Sequence, residues 1–374
     1  MAQSPVVSVP FELYGDHIFI QVSVDGSAPQ DFIFDTGDGL TVLDIDVAQS
    51  LGLDLDHKQQ TSSAQGTITG ALIKHNRIDV GGLQMEGNVK IYATSLKHLE
   101  ISIGRNVDGI IGYDLMHHHA IGINYTDMTF NVYDSSQYPK TGAKLPIKIV
   151  SGIPTITASA TLNDGNKVSG TFYINTGAGT TMDFNTPFAK ENDIISKTGQ
   201  HYSYPVKGLG DAESLHYEGR VTSFDLGEIS IENMPIGISQ VSTGLQGDKR
   251  TAGIIGNKLL KKYNMILDIK SGYIFLEENA AASKPFAVNS SGLDIQMSKD
   301  QNDLLIHRVF EGTQAESAGI LENDILQSID GKDASELGLM KVEEMLRQAG
   351  NTVKLTIKRA SETITVTLDL KELI

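Results

Sequence analysis

Two short motifs place an aspartate or an asparagine directly before Thr-Gly. One is Asp-Thr-Gly at residues 35–37, and the other is Asn-Thr-Gly at residues 175–177. A carboxylate can take a proton from water, whereas an amide can donate a hydrogen bond but cannot exchange a proton. A lone Asp-Thr-Gly is usually a turn, so its meaning depends on whether the second motif is its counterpart in a shared site.

The segments that lead into the two motifs follow the same plan. Residues 9–44 and residues 145–184 each open with an apolar residue, a proline and a short alternating strand. Each then passes an Asp-Gly pair, at 25–26 and at 164–165, which is a strong signal for a hairpin turn. Each continues through an apolar strand into its motif. The sequence therefore predicts an internal repeat that is rich in strands.

A further shared element follows each motif at a similar distance. Gly-Ile-Ile-Gly begins 74 positions after Asp35 and 78 positions after Asn175, at residues 109–112 and 253–256. A short helical stretch and a pair of strands come next in both halves. The predicted organisation is a first lobe at 1–138, a linker at 139–143, a second lobe at 144–279, a linker at 280–285 and a C-terminal domain at 286–374.

Composition excludes several classes of function. The chain has 374 residues and a net charge of −16, which argues against binding to nucleic acid or to anionic lipid. It has no cysteine, so disulfides, zinc–thiolate sites and cysteine nucleophiles are excluded. No apolar run approaches the ~18–20 residues of a membrane span. Residues 1–10 lack the charged and apolar regions of a signal peptide.

The repeated arrangement resembles the retropepsin-like and pepsin-like aspartic peptidases over roughly residues 5–279. In that family each lobe contributes one Asp-Thr/Ser-Gly loop to a shared site, and an apolar-apolar-Gly strand braces the loop. The resemblance implies a bilobal, mainly β fold with Asp35 and Asn175 at the catalytic positions. The residues implied to support the two loops are Thr36, Gly37, Ile110, Ile111 and Gly112 in the first lobe, and Thr176, Gly177, Ile254, Ile255 and Gly256 in the second.

The family's chemistry uses two carboxyl groups that share one proton. The ionised group takes a proton from the attacking water, and the protonated group donates to the peptide carbonyl. Asn175 departs from this pattern because an amide cannot give up and regain a proton. We expect strongly impaired chemistry and a nearly normal acidic pKa for Asp35. Two explanations stay open: Asn175 is the natural residue of a silent peptide-binding cleft, or it is an engineered replacement of aspartate.

Asp38 is the second departure, because the family usually has a small residue there, as at Ala178 in the other lobe. It lies three positions after Asp35 in the same loop, so its direction is wrong for replacing the missing carboxylate. We expect Asp38 to be a solvated turn residue.

In the family, a hairpin between the active loop and the bracing strand closes over the substrate. Residues 62–75 and 201–219 occupy these positions here. The predicted flap tips are Gln65, Gly66 and Thr67 in the first lobe, and Gly208, Leu209 and Gly210 in the second. His117, His118 and His119 are consecutive, so they point in different directions and predict no metal site.

Residues 286–374 resemble a PDZ domain, a small α+β barrel, of the form attached to bacterial envelope proteases. The most specific stretch is residues 312–331. PDZ domains bind a peptide as an added strand, and backbone amides capture its terminal carboxylate. The residues implied for the carboxylate loop are Ser291, Gly292, Leu293 and Asp294, and those for the groove are Ile295 and Met297. Asp294 would repel a ligand carboxylate, which favours an internal segment or the chain's own lobes as ligand.

The sequence leads to an aspartic endopeptidase in which water is activated between Asp35 and position 175. The alternatives are a silent peptide-binding protein that uses the cleft and the PDZ groove, or a scaffold that uses the PDZ domain alone. The expected partners are a peptide or protein substrate and a PDZ ligand, without a cofactor. We expect a monomer because both halves of the site lie in one chain, and by analogy a bacterial periplasm or envelope location.

Overall fold

Strands dominate the architecture, which is seen in a computed structural model that describes residues 4–63, 66–134, 137–207 and 213–374. The chain divides into two units. The first contains residues 1–96, 107–199 and 205–284, and the second contains residues 97–106, 200–204 and 285–374. The predicted mainly β class is confirmed.

The first repeat has β1 (Val7–Pro10), β2 (Glu12–Tyr14), β3 (His17–Val24), β4 (Gln30–Phe34), β5 (Thr41–Asp44), β6 (Lys58–Ser63), β7 (Gly66–Val80), β8 (Leu83–Thr94), β9 (Gly109–Ile111), β10 (Ala120–Asn124) and β11 (Thr129–Tyr133). The second has β12 (Ala143–Val150), β13 (Ile153–Thr161), β14 (Lys167–Asn175), β15 (Met182–Phe184), β16 (Tyr202–Lys207), β17 (Glu213–Leu226), β18 (Ile229–Ser239), β19 (Gly253–Gly256), β20 (Tyr263–Asp268) and β21 (Tyr273–Glu278).

The remaining elements are the strands of the C-terminal part and the helices. The strands are β22 (Leu293–Met297), β23 (Leu304–Val309), β24 (Ile325–Ile329), β25 (Lys332–Asp333), β26 (Thr352–Arg359) and β27 (Glu362–Asp369). The helices are α1 (Ile45–Ser50), α2 (Lys97–Ile103), α3 (Tyr113–His118), α4 (Thr186–Glu191), α5 (Ile194–Lys197), α6 (Asn257–Leu260), α7 (Gln314–Ser317), α8 (Ala334–Leu337) and α9 (Leu339–Leu346), with a short 3-10 turn at Leu245–Gly247.

The first repeat forms a sheet in the order β2-β3-β4-β9-β5-β8-β7-β6. Its centre is apolar on both faces, because β4 and β9 contribute Phe32, Ile33, Phe34 and Ile111 to the core. β4 and β9 run parallel, with Phe34 opposite Ile111. A buried parallel pair of this kind fixes the end of β4, where the first Thr-Gly motif begins.

The second repeat is built around an equivalent pair. β14 and β19 run parallel, with Ile174 opposite Ile255 and Asn175 opposite Gly256. They lie in a larger sheet that passes through β12, β21 and β20 to β10, β11 and β1 of the first repeat. In that sheet Ile121 lies opposite Leu267, and both are buried. Strand pairing and apolar packing therefore join the two repeats into the first unit.

The sheet of the second unit runs in the order β22-β23-β24-β26-β27, with β25 paired to β24. The predicted amphipathic helix is present as α9, whose buried residues are Leu339, Val342 and Leu346, while Met345 packs half-buried against the core. Segments 97–106 and 200–204 complete this unit. The rings of Tyr202 and Tyr204 lie 5.0 and 5.7 Å from the ring of Phe310.

Candidate active site

The first active loop leaves β4 and is braced by the strand beside it. The backbone N–H of Asp35 donates to the carbonyl of Ile111 at 2.9 Å. Gly112 follows directly, and a Cβ at this position would overlap the carbonyl oxygen of Asp35. Only glycine permits such close approach of two backbone segments. The sequence-predicted residues Ile110, Ile111 and Gly112 thus lie directly behind the loop.

The second active loop has the same construction. Asn175 ends β14 and lies opposite Gly256 of β19. A Cβ at Gly256 would overlap the carbonyl oxygen of Thr180, which belongs to the loop itself. Ile254 and Ile255 are buried beneath it. The two Gly-Ile-Ile-Gly segments therefore occupy equivalent places behind two equivalent loops.

A crossed set of hydrogen bonds joins the two loops through Thr36 and Thr176. The backbone N–H of each threonine donates to the hydroxyl of the other, at 3.0 Å in both directions. The hydroxyl of Thr36 donates to the carbonyl of Ile174 at 2.7 Å, and the hydroxyl of Thr176 donates to the carbonyl of Phe34 at 2.8 Å. Both threonines are fully buried, so water does not compete for these bonds.

Asp35 and Asn175 meet above this crossing. The carboxylate oxygen Oδ1 of Asp35 accepts from the N–H of Gly37 at 2.6 Å and from the N–H of Gly177 at 3.3 Å. Oδ1 of Asn175 accepts from the N–H of Gly177 at 2.8 Å, which directs its Nδ2 toward the first loop. The site therefore holds a carboxylate beside an amide group that can donate.

The two motif glycines are required by the side chain of the opposite loop. A Cβ at Gly37 would overlap the amide of Asn175, and a Cβ at Gly177 would overlap the carboxylate of Asp35. This reciprocity shows that the two functional side chains are packed against each other's loops.

Asp35 does not have the nearly normal pKa that the sequence suggested. Burial among the two loops raises its pKa to about 6, although the N–H groups of Gly37 and Gly177 stabilise the carboxylate and limit the rise. The expectation is wrong because it considered only the missing charge at position 175. Desolvation disfavours the ionised form even where no second carboxylate stands opposite.

Asp38 is not the solvated turn residue that we expected. Its Oδ1 accepts from the N–H of Leu40 at 3.1 Å, and its side chain is only partly exposed. Burial and the nearby charge of Asp35 raise the pKa of Asp38 to about 7, with a smaller contribution from Asp114. Asp114 itself accepts from the hydroxyl of Thr41 at 2.6 Å. The first loop thus concentrates acidic groups on one side of the site.

A polar network around Asn257 was not foreseen from the sequence. Asn257 is fully buried; its Nδ2 donates to the carbonyl of Asp16 at 2.8 Å, and its Oδ1 accepts from the hydroxyl of Tyr125. Its N–H donates to the carbonyl of Ala178 in the second loop at 2.7 Å. Lys261 forms an ion pair with Asp16. The position of Asn257, directly after Gly256, was the available signal.

His17 is a second residue that the sequence did not single out. Its Nε2 lies 3.7 Å from the place a Cβ would occupy at Gly179, beside the second loop. Desolvation lowers the pKa of His17 despite the charge of Asp16 and a hydrogen bond with the backbone of Gly177. Within the described residues, its buried Nδ1 has no hydrogen-bond partner. A neutral imidazole thus lines the second loop.

The predicted flaps are only partly described. Gly66 and Thr67 of β7 pair with Ser63 and Ser62 of β6. Gln65, Gly208, Leu209 and Gly210 lie outside the described residues.

The three histidines show no metal-binding arrangement. The ring of His117 stacks on that of Tyr113 at 5.1 Å. Among the described residues, there is no group of three or more His, Cys, Asp or Glu that could hold a metal ion.

In the second unit, Ser291 and Gly292 lead into β22, which begins at Leu293, and the role of this segment as a carboxylate loop stays a prediction. Ile295 is buried and Met297 packs half-buried against the same core. The carboxylate of Asp294 lies 2.9 Å from Nδ1 of His307 on the neighbouring strand. Its charge therefore faces an imidazole, which weakens the argument that it would repel a ligand.

Comparison with known proteins supports the resemblance on both units. Residues 20–115 match the family described as Aspartyl protease, and residues 281–358 match the family described as PDZ domain. The chain thus carries a retropepsin-like domain in its N-terminal part and a PDZ domain at its C-terminal end. The predicted fold, β lobes followed by a PDZ domain, is confirmed.

Two further similarities are more distant. A probable CtpA-like serine protease of Staphylococcus haemolyticus (strain JCSC1435) is 29% identical over 150 residues, which covers 34% of this chain and 30% of that protein. The crystal structure of an aspartic proteinase from Irpex lacteus is similar over 75% of this chain and 99% of that chain, with 13% identity and a TM-score of 0.47. Within the described residues, no helix is long and apolar enough to cross a membrane.

The crossed threonines predict a large effect from a small substitution. Thr36→Val removes a hydroxyl and leaves the carbonyl of Ile174 and the N–H of Thr176 buried without partners. Since each such group costs about 1–3 kcal/mol, we expect the free energy of unfolding to fall by roughly 3 kcal/mol in urea titrations followed by circular dichroism. Thr157→Val, at an exposed position of β13, is the control and should change it by less than about 0.5 kcal/mol. Equal effects of the two substitutions would contradict the assignment.

The raised pKa of Asp38 predicts that replacing this residue stabilises the fold at high pH but not at low pH. Because the folded protein holds this proton more tightly than the unfolded chain, ionisation of Asp38 destabilises the fold as pH rises through about 7. Asp38→Asn removes that penalty. One pKa unit corresponds to about 1.4 kcal/mol and solvent screens a partly exposed carboxylate, so we expect a gain of about 2 kcal/mol at pH 8 and none at pH 3.5.

Urea titrations at the two pH values measure this difference. Asp56→Asn, at an exposed aspartate of the same lobe, is the control and should leave the pH dependence unchanged. A gain at pH 3.5 as large as that at pH 8 would show that the effect does not come from ionisation of Asp38.

Proposed function

We propose that this protein is an aspartic-type endopeptidase family member whose cleft binds a peptide between Asp35 and Asn175. The observation that carries the proposal is the crossed pairing of Thr36 with Thr176, which brings two loops 140 residues apart into one site. Such pairing supports a site with a general base on one loop and a hydrogen-bond donor on the other. The match of residues 20–115 to the Aspartyl protease family supports the same class.

Asp35 is the base in this proposal. With a pKa of about 6 it is ionised at neutral pH and basic enough to take a proton from a bound water. The amide of Asn175 donates to the carbonyl oxygen of the peptide. It has no proton to transfer to that oxygen, so the negative charge that forms there when water adds is met by a hydrogen bond alone, while the proton that Asp35 took from the water remains available for the leaving amine. Cleavage by this chain is therefore slow, whereas peptide binding is retained.

Asn175 also leads to a second candidate function. With Asn175 in place, the cleft serves as a peptide receptor rather than as a peptidase, and the PDZ domain supplies a second peptide site. The relative from Staphylococcus haemolyticus is named a serine protease, and nothing in its name bears on Asp35. The combination of protease-like and PDZ domains supports action on peptides, and we further propose that the protein acts in a bacterial envelope as a monomer without a cofactor.

Substitution of Asn175 separates the two functions. Asn175→Asp restores a pair that can share a proton, so we expect cleavage of a fluorescence-quenched peptide library to rise about 100-fold or more between pH 3 and 7. The pH profile should become bell-shaped, because the pair then titrates in two steps. Asn175→Asp combined with Asp35→Ala is the matched control and should cleave nothing.

Each outcome of these measurements supports or excludes one of the two functions. Cleavage by Asn175→Asp that pepstatin inhibits and Asp35→Ala removes supports the peptidase proposal. If Asn175→Asp leaves every peptide intact while the unaltered chain binds library peptides with measurable affinity, the receptor function is the correct one. If neither binding nor cleavage is seen, both functions of the cleft are wrong.

A further inference from the structure

A segment of the first repeat covers one face of the PDZ domain. Residues 97–106 lie between β8 and β9 in the sequence, yet they belong to the second unit. Within this unit α2 lies against β22, and β22 is also next to α9. A Cβ at Gly104 would lie 2.8 Å from Cβ of Leu339, the first residue of α9. Since β22 and α9 are the two walls of a PDZ peptide groove, residues 97–104 contact both walls.

Polar contacts hold the segment at the end of the groove. Nε2 of Gln301, in the turn after β22, donates to Oε2 of Glu100 at 2.8 Å. The side chain of Glu100 is only 16% exposed, and Nζ of Lys97 lies 3.5 Å from the same oxygen. Ile103, at the end of α2, is buried. The segment, which is helical over Lys97–Ile103, thus combines an apolar contact with a directed hydrogen bond.

Side chains of the same segment accept hydrogen bonds from the backbone amides of the predicted carboxylate loop. Oδ1 of Asn289 accepts from the N–H of Gly292 at 2.9 Å and from the N–H of Ser291 at 3.2 Å. The hydroxyl of Ser291 accepts from the N–H of Leu293 at 3.2 Å. These three backbone groups are the donors that a ligand's terminal carboxylate would need. The amide oxygen of Asn289 therefore takes the place that a carboxylate oxygen would otherwise fill.

We infer that the groove between β22 and α9 binds an internal segment of its own chain, residues 97–104, and is not a receptor for free C-termini. Two independent observations agree on this point: the segment contacts both walls of the groove, and Asn289 and Ser291 satisfy the amides of the loop. The inference does not depend on the peptidase chemistry of Asp35 and Asn175, so either can fail without the other.

The bound segment would compete with any external ligand of the groove. An internal peptide from another protein must compete with residues 97–104, which are tethered and therefore present at high effective concentration.

Substitution of Gly104 tests the intramolecular contact in the full chain. Gly104 has φ +79°, and a methyl group there would press on Leu339, so Gly104→Ala should loosen the segment. Gly331→Ala is the matched control, because Gly331 has φ +76° and no atom within 4 Å of an added Cβ. We expect backbone amide exchange, measured by mass spectrometry, to quicken at least tenfold for residues 97–103 in Gly104→Ala and less than twofold in Gly331→Ala.

A fluorescein-labelled peptide of residues 95–106, capped at both ends, provides a second readout. It should bind Gly104→Ala at least tenfold more tightly than it binds the unaltered chain or Gly331→Ala. Equal amide exchange in the two variants, or no gain in peptide binding by Gly104→Ala, would show that residues 97–104 are not an intramolecular ligand of the groove.

A pair of probe peptides tests the carboxylate loop. Both have one apolar C-terminal sequence, and one ends in a free carboxylate while the other ends in a carboxamide. On Gly104→Ala we expect equal affinities within twofold, because Asn289 already holds the loop amides. Adding Asn289→Ala should create a preference of at least tenfold for the carboxylate. A tenfold preference for the carboxylate before that substitution, or none after it, would contradict the role of Asn289.

Discussion

The crossed hydrogen bonds of Thr36 and Thr176 are the constraint on which the rest of the site depends. They join residues 140 positions apart, and each hydroxyl both accepts an N–H and donates to a carbonyl of the other repeat. Because both side chains are buried, these bonds have no substitute in water. The bracing glycines, the close packing of the loops and the meeting of Asp35 with Asn175 all follow from this one pairing.

The site is symmetric in its backbone and asymmetric in its chemistry. Gly37 and Gly177 lie against the opposite functional side chain in the same manner, yet one of those side chains is a carboxylate and the other an amide. Burial makes Asp35 a better base than an ordinary aspartate. The same burial, with Asp38 close by, adds a second carboxyl that holds its proton near neutral pH. Asn175 leaves the pair with one group that can exchange a proton and one that can only donate a hydrogen bond.

Local patterns predicted the parts of the fold that local physics determines. Apolar strands before Asp35 and Asn175, and glycines where backbone segments approach closely, were visible in the sequence, and the structure pairs β4 with β9 and β14 with β19. The raised pKa of Asp35 and the partial burial of Asp38 were not predicted, because they depend on residues distant in sequence. Nor could any pattern show that segments 97–106 and 200–204 belong to the unit of residues 285–374.

The pKa of Asp35 tests the account most directly, because burial in a paired site and the amide at position 175 both act on it. It can be measured by ¹³C NMR titration of the aspartate carboxyl groups, with the Asp35 signal assigned by its loss in Asp35→Ala. The account predicts one principal transition with a midpoint of about 6. A midpoint near the ordinary aspartate value of about 4 would show that Asp35 is solvated, and that the two loops do not enclose a site in solution.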